Sequence, residues 1–269
     1  MQNPYTIILA PNPSMMSGPG TNTIVLGGGV EGAMVIDPAV EDNAYLDAII
    51  EEGARRGGIR RILITHGHPD HIGGALALKE RIDVSIYAFS RKGVPMADEE
   101  IADGTPFPAG DDTLRAIHTP GHRYDHLCFL LERQRTLFAG DVVAGVGTVV
   151  INPPEGDMQV YLETLQRLQE MEIGEIVPSH GPTIRDARAR LSEYIAHRMQ
   201  REQQVLLALE VSPRGAAIAQ LVPLIYMDVD ARLYPVAARS VAAHLLKLEH
   251  DGLVERLGED AWALVEPTA

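Results

Sequence analysis

The segment 64–74, ITHGHPDHIGG, sets His66, His68, Asp70 and His71 within six positions. Such a run favours neither a helix nor an apolar core. Crowded imidazoles gain nothing unless they share a cation or a proton-transfer task. In an extended loop, residues i and i+2 point the same way, so His66 and His68 can share one metal. Asp70 and His71 open the next helix and can turn toward a second. A pair of sites about 3.5–4 Å apart would use all four side chains. Imidazole and carboxylate without thiolate fit Zn2+, with Fe or Mn as alternatives.

Further ligands are expected from the ends of later strands, where loops carry side chains to one edge of a sheet. Three places qualify: His122 in HTPGH, after a strand at 114–119; Asp141 in LFAGD; and His180 in IVPSH. Singly each is weak; as an ordered set they point to one shared centre. Asp37 in VIDP is expected to accept hydrogen bonds from the ligand loop, because metal-bound histidines need such partners. His126, four residues past His122, is a candidate for the same supporting place. Tyr124, beside the ligand turn, and His197 with Arg198, in YIAHRMQREQQ, are the candidates for touching substrate. His118 reads as a strand end, His244 and His250 as surface residues, and Cys128, in LCFLL, as core.

The elements that must position these residues alternate through about residue 185. Strands are expected at 21–27 and 32–38, joined by a Gly27–Gly29 hairpin, and at 60–65, VSIYA, TLRAIHT, HLCFLLE, RTLFAGD and GEIVP. Helices are expected at 41–58, with Leu46, Ile49, Ile50 and Gly53 on one face, at 71–81, and at 157–170. This is an α/β layered domain, 1–185. Residues 186–269 change character. A long helix, two shorter ones (Val241, Leu245 and Leu248 in register on the last) and a hairpin near Gly258 read as a winged-helix-like module.

The 269 residues are 45% hydrophobic with a formal net charge of −14, which argues against non-specific binding to polyanions. The one cysteine excludes an internal disulfide and suits a reducing compartment, so a cytoplasmic location is expected. No early positive charge precedes the apolar stretch interrupted by Pro4, Pro11 and Pro13, so no signal peptide is expected. No run approaches the roughly 18 apolar residues of a membrane helix.

The motifs HGHPDH, TPGH, AGD and SHG, with the earlier VIDP, resemble those of the metallo-β-lactamase fold superfamily. From GPGTNT through SHGP to the HR…REQQ helix, the chain is similar to the branch of lactamase-beta-like protein 2, among the glyoxalase II-like hydrolases. The resemblance implies an αββα sandwich with a small winged-helix-like C-terminal domain and a dinuclear site, two Zn2+ per chain, at one edge. It assigns His66, His68 and His122 to one metal, Asp70, His71 and His180 to the other, and Asp141 as the bridge. Several departures argue against antibiotic hydrolysis or flavoprotein chemistry: Cys128 is no ligand, a bridging Asp141 is not a lactamase feature, and His68 stands where diiron flavoproteins carry Glu. The stretch between Asp141 and His180 leaves no room for a nuclease cap.

Two cations sharing one water lower its pKa toward neutral and present a bridging hydroxide to a carbonyl or phosphoryl centre. Asp70 would orient that nucleophile and later pass a proton to the leaving group. The expectation is a dinuclear metal-dependent hydrolase of esters, thioesters or lactones. The alternatives are a single-strand-specific endoribonuclease, which the resemblance also allows, and a nucleic-acid-binding module built on the winged helix. Residues 186–269 hold nine Lys/Arg against twelve Asp/Glu, and the expected recognition helix, 236–250, has only Arg239 and Lys247 as fixed cations. A DNA-reading winged helix is normally basic. The module therefore reads as a lid or homodimerisation element, and a small acyl substrate is favoured over RNA.

Overall fold

The computed structural model describes residues 3–227, 229–258 and 260–265. Two sheets lie face to face. The first runs β1 (Tyr5–Leu9), β2 (Asn22–Gly27), β3 (Ala33–Ile36), β4 (Ile59–Leu63), β5 (Ser85–Ala88), β6 (Glu99–Glu100). The second runs β11 (Glu175–Val177), β10 (Thr136–Phe138), β9 (Leu127–Leu131), β8 (Asp112–His118), β7 (Pro106–Ala109). Strand periodicity sorts their side chains into layers. Ile24, Leu26, Met34, Ile36 and Leu63 of the first sheet meet Leu114, Ala116, Leu127, Phe129 and Phe138 of the second in the central core.

The alternate residues face outward onto helices. Val25, Val35 and Ile62 pack against Leu46 and Ile49 of α1 (Asn43–Arg55) and Leu78 of α3 (Ala75–Ile82). On the other side Ile117, Cys128 and Leu137 pack against Leu162 and Leu165 of α4 (Met158–Gln169) and Leu191 and Tyr194 of α5 (Ala187–Glu210). The order of layers is αββα. The helices are held as their sequences dictate: Asp42 and Asp157 cap α1 and α4, each accepting a backbone N–H three residues on.

Past Val205, α5 leaves this core for a second one, shared with α6 (Ile218–Ile225), α7 (Tyr234–His250) and a small sheet of order β12 (Ala216–Ala217), β14 (Ala261–Leu264), β13 (Val254–Leu257). Val241, Leu245 and Leu248 line its centre with Trp262. Leu191 and Tyr194 of α5 and Ala243 of α7 reach back into the first domain's core, so the module packs on the sandwich through the first half of α5 and through α7.

Local features differ from the sequence reading: β1 and β6 were not expected, and three further differences bear on the site or the core. The helix expected at 71–81 is two pieces, α2 (Pro69–Ile72) and α3, broken at Gly73–Gly74. A side chain on either glycine would collide with the Ala39 and Val40 carbonyls, 2.5 and 2.4 Å from the added carbon, so the break lets the 38–40 backbone press on the ligand segment. β7, sequence PFPA, was hidden by its prolines. They are tolerated because β7 is an edge strand and both point outward. His244 is buried, 1% exposed, against Glu202 rather than at the surface.

Candidate metal centre

Strand directions gather the candidate ligands at one edge. β3 and β4 are parallel, so the loops carrying Asp37 and the histidine run leave together. β8 and β10 are both antiparallel to β9, and β11 is parallel to β10, so the loops carrying His122, Asp141 and His180 also leave together. The two sheets are stitched there by hydrogen bonds. Asn22 donates its backbone N–H to Ser179 O (2.7 Å) and its side-chain amide to Pro178 O and Gly181 O; Leu127 N donates to Thr65 O (2.7 Å).

The structure brings all seven expected ligand residues into two adjoining groups: His66, His68, His122 and Asp141, then Asp70, His71 and His180. Within each group the donor atoms lie within 4.8 Å of one another. His68 Nδ1 faces His66 Nε2 at 2.8 Å and His122 Nε2 at 3.2 Å. Asp141 stands between the groups. Its Oδ2 is 3.6 Å from His71 Nε2 and 3.8 Å from His122 Nε2, and its Oδ1 is 3.4 Å from His180 Nε2. Asp70 Oδ2 is 3.4 Å from His180 Nε2.

The surrounding contacts fix which ring nitrogens point inward. His122 Nδ1 donates to Val150 O (2.9 Å), which leaves Nε2 as a lone pair. His71 Nδ1 lies 2.7 Å from Asp37 Oδ2, and its fully buried Nε2 has no hydrogen-bond partner. Converging imidazole lone pairs and an orphaned buried nitrogen between carboxylates are what a bound cation would satisfy. Nitrogen and oxygen donors at this density fit divalent cations.

Asp37 anchors the ligand loop: Oδ1 accepts the Thr65 N–H (2.8 Å) and Oδ2 the Thr65 hydroxyl (2.6 Å) beside His71. It does so at φ 51°, a left-handed conformation that is uncommon outside glycine but tolerated best by Asp and Asn. His126 sits behind the cluster. Its Nε2 accepts the Asp141 N–H (3.0 Å), and its Nδ1 pairs with the Thr119 hydroxyl (2.8 Å). The turn that aims Asp141 requires Gly140, at φ 52°, where a side chain would strike the His126 ring. Asp125, which the sequence did not single out, is fully buried. Its carboxylate accepts Gly67 N–H (3.0 Å) and Arg123 Nε (2.8 Å), pinning the loop between His66 and His68.

Titration follows from burial and partners. Burial pushes His66 and His126 well below the ordinary imidazole range and lowers His122; His68 falls to about 3 through burial and the neighbouring His122. These rings stay neutral, the form in which an imidazole can bind a cation. Burial also opposes charge on His71, yet the Asp141 and Asp37 carboxylates outweigh it and raise its pKa well above the usual value. His180 is raised against burial by Asp70 and Asp141. In turn Asp141, despite its own burial, is held far below the carboxylate range, chiefly by His71. The second group therefore attracts positive charge.

A cleft of about 930 Å3 opens onto His68, Asp70, His122, Asp141 and His180. Its walls come from the turn carrying Met15 and Met16, from the loop 144–150, and from Val236 and Arg239 of α7. Tyr124, His197 and Arg198, the sequence's candidates for touching substrate, are not among the residues lining it. Tyr124 lies under the Lys92 ammonium, 5.0 Å from its ring centre. Arg198, 2% exposed, is turned inward because its guanidinium donates to Val149 O and stacks over Tyr161. His197 is its half-buried neighbour on α5. Arg198 instead belongs to a stripe along α5. Arg190 donates to Ala144 O and Gly147 O, the Tyr194 hydroxyl accepts Ala144 N–H and donates to Gly147 O, and Arg198 holds Val149 O. Spaced four apart, these three clasp one cleft wall. Nothing in composition marks such a stripe; only the fold reveals it.

A profile of the Metallo-beta-lactamase superfamily matches residues 17–180, and one of the Beta-lactamase associated winged helix domain matches 217–262. The chain belongs to the metallo-beta-lactamase superfamily. It is 32% identical over 283 residues to the Beta-lactamase-like protein 2 homolog of Drosophila melanogaster, covering 97% of this chain and 94% of the relative. It is 34% identical over 247 residues to the Atrochrysone carboxyl ACP thioesterase of Emericella nidulans, covering 88% and 77%. Among solved structures, a metallo-beta-lactamase family protein from Thermus thermophilus shares the fold with a TM-score of 0.80 at 21% identity, covering 97% of this chain and 99% of the other. This metallo-beta-lactamase superfamily member is thus a hydrolase with a C-terminal winged helix, and its His/Asp cluster is suited to divalent metal. No helix among the described residues is long and apolar enough to cross a membrane.

Proposed function

We propose that this hydrolase cleaves acyl thioesters at a dinuclear centre. His66, His68 and His122 would hold one ion, Asp70, His71 and His180 the other, and Asp141 both. The observation that carries the reading is the cleft itself: a largely aliphatic channel, walled by Met15, Met16, Val146, Val149 and Val236, ends on the ligand cluster. Such walls suit an acyl chain better than a sugar-phosphate strand, and the net charge of −14 disfavours a polyanion further. The name of the Emericella nidulans relative points to the same bond type.

Divalent ions bound there supply Lewis acidity for the carbonyl and acidify water. The chain's own residues do the rest. Asp70, one-third exposed at the cleft floor, is held below the ordinary carboxylate range by its His180 hydrogen bond despite burial, so it is an ionised acceptor at neutral pH. It takes a proton from the attacking water as the carbon–oxygen bond forms. It returns that proton to the departing sulfur as the carbon–sulfur bond breaks, which leaves a carboxylic acid and a thiol. His126 and Asp37 hold Asp141 and His71 in place.

The test is thiol release from a medium-chain acyl thioester, with and without a chelator, beside an unstructured RNA of mixed sequence. Chelator-sensitive thiol release with intact RNA is the expected result. Chelator-sensitive RNA cleavage with an inert thioester overturns the reading.

A further inference from the structure

We infer that Arg239 of the winged-helix module is the cleft's anion-recognition residue, so that the preferred thioester is amphipathic, with an apolar acyl body and one anionic group. This rests on the hydrolase reading above for the reacting bond, and on its own observations for the rest.

The first observation is the charge inventory of the wall. Apart from the ligand cluster, the charged side chains lining the cleft are Glu155 and Arg239. Glu155 is already taken, since its carboxylate lies 3.0 Å from Arg123 Nη1. Arg239 makes no hydrogen bond or ion pair among the described residues, although this chain carries 37 acidic side chains against 23 basic ones. Its helix offers it nothing: positions three and four away are Pro235, Val236, Ala242 and Ala243. Other exposed arginines, Arg60, Arg188 and Arg214, also lack a carboxylate partner among the described residues; what sets Arg239 apart is its place on the cleft wall. There it is available to a ligand, and its planar fork matches a carboxylate or phosphate with two parallel bonds.

The second is the apolar surface beside it. Met15 is 79% exposed, Met16 56% and Val146 75%, all on the cleft. The turn that presents the two methionines is braced: Ser14 Oγ accepts the N–H of Met16 and of Ser17, and Ser17 Oγ donates to Asn12 O. A braced turn that holds two large flexible apolar groups in solvent beside a reaction site is a contact surface for an apolar ligand. The other fixed cation of α7, Lys247, is bound to Glu202 (3.0 Å) and Asp251 (2.6 Å), so α7 offers one free cation, and it points to the cleft.

Carboxylate on the acyl end and phosphate on the leaving group present the same chemistry to Arg239, and the experiment separates them. Three probes share an eight-carbon chain: a neutral octanoyl pantetheine thioester, its 4′-phosphorylated form, and the neutral-leaving-group thioester of the corresponding dicarboxylic acid. Non-hydrolysable thioether analogues of each are titrated into the metal-loaded full chain by calorimetry, and thiol release from the thioesters is followed separately. Wild type is expected to bind one anionic analogue roughly tenfold more tightly than the neutral one, as a bidentate charged hydrogen-bonded pair provides. In R239M that ratio falls to near one, and in R239K it is intermediate, because the charge remains and the fork is lost. Which anionic analogue shows the preference names the source. Equal binding of all three by wild type, or a preference that survives in R239M, overturns the assignment. Thiol release bears on the reacting bond alone: with no release from any thioester, the hydrolase reading fails while the binding ratios still decide Arg239.

Discussion

Asp37→Asn removes one charge and the Oδ2 acceptor that the Thr65 hydroxyl and His71 Nδ1 both face. Asn matches Asp in size and tolerates the same left-handed backbone, so φ 51° is kept without added strain. The remaining oxygen can still accept the Thr65 N–H. What changes lies at Oδ2, where an NH2 replaces the acceptor facing His71 Nδ1 at 2.7 Å. Two donors cannot share that distance. The imidazole must move its proton to Nε2, the atom that faces Asp141 and that the proposed ion needs as a lone pair. Loss of a carboxylate that orients a ligand histidine typically weakens metal affinity about 10- to 100-fold, or roughly 1.4–2.7 kcal/mol. The assay is competition of metal-free protein with a chromophoric chelator, followed by thioester turnover at fixed free metal. Affinity should fall for the ion held by His71, and turnover should recover at higher metal concentration. Unchanged affinity with full activity at limiting metal would refute the reasoning, because the Asp37–His71 contact would then have no bearing on the ion.

Removing the metal with a chelator should abolish hydrolysis and lower the melting temperature, since ions that bind only the folded chain stabilise it; a Tm indifferent to chelation contradicts the site. Arg198→Met should cost about 1.5–3 kcal/mol for the lost charged hydrogen bond to Val149 O and lower Tm by some 2–4 °C per kcal/mol, with KM raised by the loosened wall; unaltered Tm and KM would show the stripe to be incidental. Acid should loosen the C-terminal module. His197 is held down to about 4 by burial beside Arg198, and burial lowers the pKa of His244, so the unfolded chain binds protons near pH 6.5 that the folded chain refuses until much lower pH. Stability therefore declines as pH drops from 6.5 toward 4. Fluorescence of Trp262, the single tryptophan and 4% exposed in that module, reads it during denaturant titration. A midpoint independent of pH in that window contradicts the sign.

The residues that gather at the sheet edge were legible because ligand chemistry leaves dense local signals: a histidine run cannot be mistaken for a core strand, and lone His or Asp residues at strand ends recur in order. Short apolar, β-prone runs likewise placed β2, β3, β9 and β10, each buried on both faces. The substrate side was not legible. Tyr124, His197 and Arg198 were singled out for lying near a ligand in sequence or for being polar on a helix, but a helix face is assigned by packing, and α5 turns Arg198 into the protein. Asp125, Met15 and Met16 gave no signal, and Arg239 only that of a lone cation on its helix, since each acquires its place only when distant segments meet. β7 was missed for a similar reason: prolines forbid a central strand but not an edge one.

The clasp of Arg190, Tyr194 and Arg198 on the 144–150 segment ties the fate of two modules together. A winged helix grafted from a relative would arrive with its own register along α5 and its own residue at position 239. Such a chimaera would reshape the cleft rim while leaving the His/Asp floor as it was, so, under the proposed acyl thioester reading, variation in this appended module offers a route to altered specificity without redesign of the residues at the sheet edge.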